Sequence, residues 1–212
     1  MRCITIAARK GGVGKSTLAT HLSVLAATDG KPVLLFDCDE QGSLAWWFHL
    51  RPAETPALIE CEPGQLASIL STARKEGVST CIIDTAPHDR AGIDAAMRVA
   101  DLVLVPTRPG PFDLAAVAAT LEIADRVGKP TLAVLNACPP RTHAQEPMIV
   151  TEARAALVGM GATVAETAIA QRVALSHAII SGSTVGEYEP GGKAAEEVAA
   201  LWAEVESKLK GV

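Results

Sequence analysis

The chain predicts an α/β fold: a doubly wound, mostly parallel sheet of seven or eight strands with helices on both faces, built by residues 1–212 as one domain. Three observations carry this. Short apolar runs of strand length alternate with stretches of helical periodicity, as in a sheet buried on both sides. Several runs end in a polar residue, Asp37, Asp84 or Asn136, at the strand end where such sheets bind ligands. A glycine-rich turn joins the first run to the first helix. With 212 residues, 49% apolar and 20% charged, the chain can bury one sizeable core.

The first run, Cys3 to Ala8, leads into Lys10-Gly11-Gly12-Val13-Gly14-Lys15-Ser16-Thr17 and then a helix from Leu18. Three glycines let successive N–H groups turn inward and cradle phosphate oxygens at a helix N-terminus, with Val13 inside the cradle. Lys15 supplies a charge for the β- and γ-phosphates, Ser16 a hydroxyl for magnesium, and Thr17 a bond to another phosphate oxygen. The strict phosphate-loop pattern asks for glycine at position 9, where Arg9 stands; the loop opens instead on a second lysine, Lys10.

Residues 31–36 form the next strand and end in Asp37-Cys38-Asp39-Glu40-Gln41. Carboxylates there lie beside the ligand loops; a solvated acidic turn is the plain alternative. Residues 45–64, with Trp46, Trp47 and Phe48, show no clean periodicity. The tryptophan pair suits either a partner surface or ordinary core packing. A helix is expected over 65–76, ended by Gly77. Residues 79–84 form a strand whose Asp84 precedes a proline-stopped turn, the form of a Walker B carboxylate holding magnesium through water. His88 and Asp89 follow without an assigned role.

Another strand ends at Pro106, and the proline-rich 107–112 leads to Asp113, expected to cap a helix running to Gly128. The strand 131–135 ends at Asn136, whose amide can donate to and accept from an adenine edge at once. A loop over 138–143 and a helix over 147–159 precede a last strand over 163–169. A helix begins near Ala170 with Arg172 at its exposed start. The turn 187–193 is placed to close over the base. The final helix, 194–210, carries an apolar stripe, and its glutamates favour docking on the core over binding anionic lipid.

The form K-G-G-x-G-K-[ST]-T resembles the deviant Walker A loop of the ParA/MinD family of dimerising P-loop ATPases, and the chain is most similar to its small partition members such as ParF. Asp37-Cys38-Asp39-Glu40-Gln41 resembles that family's first switch, with Glu40 replacing a proline, and 105–113 resembles its V-P-x-x-P-x-x-x-D run. The resemblance implies that Lys10 reaches across a dimer to the partner's ATP. It implies that Asp39 orients the attacking water, that Asp37 and Asp84 support magnesium, and that Asn136 contacts adenine. By the same resemblance Arg172 binds DNA without sequence preference; an ion pair explains that residue equally well. The implied protein is a weak Mg2+-dependent ATPase, homodimeric with ATP, stimulated by a ParB-like or cargo-adaptor partner, cytoplasmic and nucleoid-associated. Its cargo would be a plasmid, a chromosome or a protein assembly.

A MinD-like membrane-associated ATPase and a P-loop synthetase such as dethiobiotin synthetase are the alternatives. A nitrogenase-type iron protein needs cysteines that 85–112 lack. Net charge of −5 argues against a globally basic nucleic-acid binder, though a local patch is compatible. The five cysteines show no C-x-x-C pair and read as reduced thiols. No run is long and apolar enough to span a bilayer, and the first strand begins almost at Met1 without a basic-then-apolar stretch, so secretion is not expected.

Overall fold

The computed structural model describes residues 1–141 and 145–211, without the side chain of Asp29; Thr142 and His143 of the expected 138–143 loop lie outside the described residues. Six strands form one all-parallel sheet: β1 (Arg2–Ile6), β2 (Val33–Cys38), β3 (Ala57–Glu60), β4 (Thr80–Thr85), β5 (Leu102–Thr107) and β6 (Thr131–Leu135). Their order across the sheet is β3-β2-β4-β1-β5-β6. Helices connect them: α1 (Lys15–Ala26), α2 (Ser43–Leu50), α3 (Leu66–Lys75), α4 (Arg90–Arg98) and α5 (Pro111–Val127), followed by α6 (Met148–Gly159), α7 (Val173–Ile180), α8 (Val185–Tyr188) and α9 (Lys193–Lys210).

Alternate residues of each strand enter opposite cores. Ile4, Ile6, Leu35, Ile82, Leu104 and Val134 pack with Leu18 and Leu22 of α1 and with Val198, Leu201 and Val205 of α9. Val103, Val105 and Leu135 face α5 and α6, while Cys3, Phe36, Cys81 and Ile83 face α3. This two-sided burial is why the strands read as unbroken apolar runs. It also fixes α9, whose apolar stripe is buried in the first of these cores. Among the described residues no helix is long and apolar enough to cross a membrane.

The sheet of the described residues has six strands where seven or eight were expected, and two local departures from the sequence reading have physical causes. The aperiodic stretch 45–64 holds most of α2 and the edge strand β3, which pairs only with β2. Trp47 of α2 is fully buried and donates through its indole N–H to the Ser183 carbonyl, whereas Trp46 stays half-exposed. The expected strand 163–169 is reduced to one isolated bridge on β6, Ala133 with Val164, with a second, Cys138 with Ala170, just beyond both segments. Its middle is drawn to α9 instead: Glu204 accepts from the Glu166 and Thr167 N–H groups at 2.8 and 2.7 Å. Glu197 likewise accepts from Ala170 N at 3.0 Å. The α9 glutamates therefore clip a loop to the core.

The chain leaves β1 to one side for β2 and leaves β4 to the other side for β5. This reversal opens a crevice at the carboxyl ends of the central strands, where the glycine-rich loop lies.

Candidate functional site

The glycine-rich loop enters α1 through Gly14, at φ 93° and with no side chain capping the helix. Gly12 is also left-handed, at φ 71°. The first turn of α1 carries no acidic residue, so its free N–H groups and helix dipole are available to an anion. Beyond them opens a cavity of about 830 Å³, lined by 11–17 together with Asp39, His88, Arg108, Asn136, Arg172 and residues of α2 and α7. The fold thus brings Gly11, Gly12, Val13, Gly14, Lys15, Ser16, Thr17, Asp39, Asn136 and Arg172 to one cavity.

Lys15 is buried at the start of α1, and that burial lowers its pKa, while Asp84 and Asp39 pull it back up. Asp84 and Asp37 are register partners on β4 and β2, yet their environments differ. The Asp37 carboxylate accepts three backbone N–H groups, from Asp39, Leu44 and Ala45, each at 3.1 Å. It anchors the start of α2, although burial still raises its pKa against those bonds. Asp84 is fully buried and neither of its oxygens has a hydrogen-bond partner among the described residues. Burial pushes it up to about 7, with the nearby Ser16 hydroxyl and Lys15 pulling the other way. A buried carboxylate without a partner, close to a hydroxyl and an ammonium, suits a hydrated divalent cation held between Asp84 and Ser16. On this geometry Ser16 and Asp84 fit magnesium, and Asp37 is already occupied.

Asp39 is partly exposed at the mouth and accepts from Gln41 N at 3.1 Å. Asn136 is buried and donates through its side-chain amide to the Val13 carbonyl at 2.8 Å. It braces the loop from below: a Cβ on Gly14 would overlap the Asn136 amide nitrogen, so Gly14 is required both for φ and for this approach.

The remaining candidate residues have partners within the chain. Lys10 pairs with Asp113 at 2.9 Å. Asp113 lies inside the first turn of α5, which starts from Gly110, so it does not cap that helix. Asp89 does cap α4, accepting from Gly92 N at 2.9 Å. Arg172 is tied to Glu197 at 2.6 Å, which holds its pKa above the usual arginine value through that bond and leaves the guanidinium only partly exposed. Among the described residues none of 187–193 lines the cavity. Glu187 instead forms a two-pronged pair with Arg51 at 2.8 and 2.9 Å, and Arg51 lies over the Trp47 ring. Arg108 escaped the sequence reading: its guanidinium would lie 3.9 Å from a Cβ on Gly12, at the loop's mouth. Its signal was position, one residue past β5 at the same sheet end as Asp84.

Comparison with known proteins agrees with this geometry. Over 118 residues the chain is 34% identical to "Maintenance of carboxysome distribution protein A" of Gloeobacter kilaueensis, covering 51% of this chain and 50% of that protein. Over 113 residues it is 34% identical to "Protein ParA" of Rhizobium radiobacter, again covering 51% and 50%. The matches thus span about half the length of these curated relatives. Among solved structures, the cell division ATPase MinD of Pyrococcus furiosus superposes with a TM-score of 0.79 at 20% identity, covering 97% of this chain and 98% of that one. MinD of Pyrococcus horikoshii, complexed with Mg-ADP, gives 0.78 at 19%, covering 97% and 96%. At such identities these two share the fold. Residues 4–185 match the model of the CobQ/CobB/MinD/ParA nucleotide binding domain, and the chain belongs to that family.

Proposed function

We propose that the chain is a single ATPase domain over 1–212, a magnesium-dependent switch of ParA type that dimerises with ATP and turns it over slowly alone. The observation that carries this is the conjunction at one helix N-terminus of a glycine cradle, buried Lys15 and the unpartnered Asp84. Magnesium held there by Ser16 and Asp84 would neutralise charge on the β- and γ-phosphates. The backbone of 11–17 binds the phosphate chain and Lys15 balances it. Asp39 orients water for in-line attack on the γ-phosphate. Asn136, with one N–H on Val13, offers its remaining amide atoms to the adenine edge. Lys10 leaves Asp113 to reach the partner's nucleotide, so nucleotide state governs pairing.

The ATP dimer then holds non-specific DNA and a ParB-like or cargo-adaptor protein stimulates hydrolysis, in the cytoplasm and on the nucleoid. A contact between Arg172 and DNA requires phosphate to replace Glu197, which makes it strongly salt-dependent. The relatives named for carboxysome distribution and for ParA support a positioning or partition role. The test is sedimentation with magnesium and a non-hydrolysable triphosphate, with and without mixed-sequence DNA. Dimers that co-sediment with DNA only in the triphosphate state are the expected result; a protein that stays monomeric overturns the reading.

A further inference from the structure

Cys38 closes β2 and Cys61 follows β3, one step beyond the register pair Asp37 and Glu60. Continuing that register sets the two cysteines opposite each other, on neighbouring strands about 4.8 Å apart, inside the ~4.4–6.8 Å that a disulfide spans between Cα atoms. The ladder does continue, since Cys61 N donates to the Asp37 carbonyl at 3.2 Å. The two sulfurs lie 3.9 Å apart, and both are free thiols. They pack on the same side of the sheet, against the cluster of Phe36, Leu66 and Ile83. Bond formation therefore needs side-chain rotation and little backbone movement.

Access is graded in the same direction. Cys3, Cys38, Cys81 and Cys138 are buried, while Cys61 is partly exposed. An oxidant from solvent meets Cys61 first, with Cys38 behind it as the resolving thiol.

We propose that Cys38 and Cys61 form a reversible disulfide that brakes the nucleotide site under oxidation. With a hydroperoxide as oxidant, the Cys61 sulfur attacks the O–O bond, giving a sulfenic acid and one water or alcohol. The Cys38 sulfur then attacks the Cys61 sulfur; the S–S bond forms, the S–O bond breaks, and the hydroxyl leaves as water with the Cys38 proton. Two thiols give up two electrons and two protons, and the peroxide takes both. A dithiol reverses the bond by two exchange steps.

The bond would close residues 39–60 into a loop, and that loop contains Asp39, Trp46 and the whole of α2. Asp37, beside Cys38, already holds α2 through Leu44 and Ala45. Linking Cys38 to the edge strand restricts the segment that carries Asp39 to the cavity, and gating motions of such segments often set turnover. The brake rests on the role proposed above for Asp39; the disulfide itself does not.

The experiment treats the reduced full chain with hydrogen peroxide, maps peptides without reductant, and follows ATP turnover and amide exchange before and after dithiothreitol. A Cys38–Cys61 linked peptide should appear, with turnover lowered roughly tenfold and restored by dithiothreitol. The C61S variant should keep the basal rate and lose both the link and the slowing. Oxidation that stops at Cys61 acids without a linked peptide overturns the pair. A linked peptide with unchanged turnover overturns the brake. If the reduced protein hydrolyses no ATP, the proposed function fails by itself; exchange over 39–50 then decides the clamp, slowed exchange supporting it and unchanged exchange overturning it.

Discussion

Lys10 Nζ lies 2.9 Å from Asp113 Oδ1, so the lysine that opens the glycine-rich loop is held by the first turn of α5 in its own chain. The side chains are 37% and 15% exposed, and a pair this open contributes at most about 1 kcal/mol. Such a latch orients Lys10 without preventing its transfer to a phosphate arriving from a second subunit. The K10A variant is expected to fold, bind nucleotide within one protomer and lose triphosphate-dependent pairing in sedimentation velocity. The D113N variant frees Lys10 and is expected to strengthen pairing by up to about fivefold, the equivalent of that energy. Unchanged pairing in D113N would show that the contact is no latch.

Asp84 makes the opposite case, a buried carboxylate whose burial outweighs the pull of its neighbours. Its oxygens are buried without a hydrogen-bond partner of good geometry among the described residues, and the attraction of the nearby Ser16 hydroxyl and Lys15 does not outweigh the cost of burying its charge, so a neutral amide of the same shape gives up little in the folded chain. D84N is expected to lower magnesium-dependent ATP turnover by about 100-fold or more while the melting temperature of the nucleotide-free protein holds or rises. A melt lowered by several degrees would mean that the carboxylate bonds the fold together.

Asn136 supports the loop through Val13, and its closeness to Gly14 makes the two residues one unit. N136A leaves the Val13 carbonyl without its donor in a buried place, a loss of about 1–2 kcal/mol. Nucleotide affinity should fall about tenfold for ADP, ATP and GTP alike by that route. Any further fall confined to adenine nucleotides reports base contact, so calorimetry with ATP and GTP separates the two roles. G14A, which meets both the left-handed backbone and the Asn136 amide, is expected to abolish binding.

The parts of the fold legible in the sequence are those whose residues answer to one environment. β1, β2, β4, β5 and β6 are buried on both faces, so their apolar runs are continuous and their ends are marked by Asp37, Asp84, Thr107 or Asn136. The glycine-rich loop is legible because only glycine suits its backbone at Gly12 and Gly14. β3 escaped because an edge strand of four residues with exposed ends carries no such run. α2 escaped because Trp47 faces the core while Trp46 faces the cavity mouth, which hides the helical period. Partnerships across the chain have no local trace at all: Arg51 with Glu187, Arg172 with Glu197 and Glu204 with the 166–167 backbone depend on the packing of α8 and α9. Asp37 and Asp84 look alike in sequence, and only the α2 N–H groups converging on Asp37 distinguish them.

His21 makes the stability of the fold depend on pH. Its ring is buried in α1, and Nδ1 accepts from Val185 N at 3.2 Å, which leaves the proton on Nε2, an atom with no partner among the described residues. Burial lowers its pKa to about 4, against the attraction of Glu187 on α8. An unfolded histidine titrates near 6.5, so the folded state binds this proton more weakly than the unfolded state does. The stabilisation is therefore complete above about pH 6.5 and is lost as pH falls toward about 4, up to about 3 kcal/mol in total. Glu187 itself is raised by burial but held down to about 2 by Arg51 and the Thr184 backbone, against an ordinary value of 4.5, so its own loss begins as pH falls through about 4.5, overlaps the acid end of this window and is shared by wild type and H21Q. In H21Q the amide oxygen can accept the Val185 N–H and cannot titrate. Urea midpoints measured at about pH 7, 5.5 and 4 should fall less in H21Q than in the wild type, and parallel curves would remove His21 as the cause.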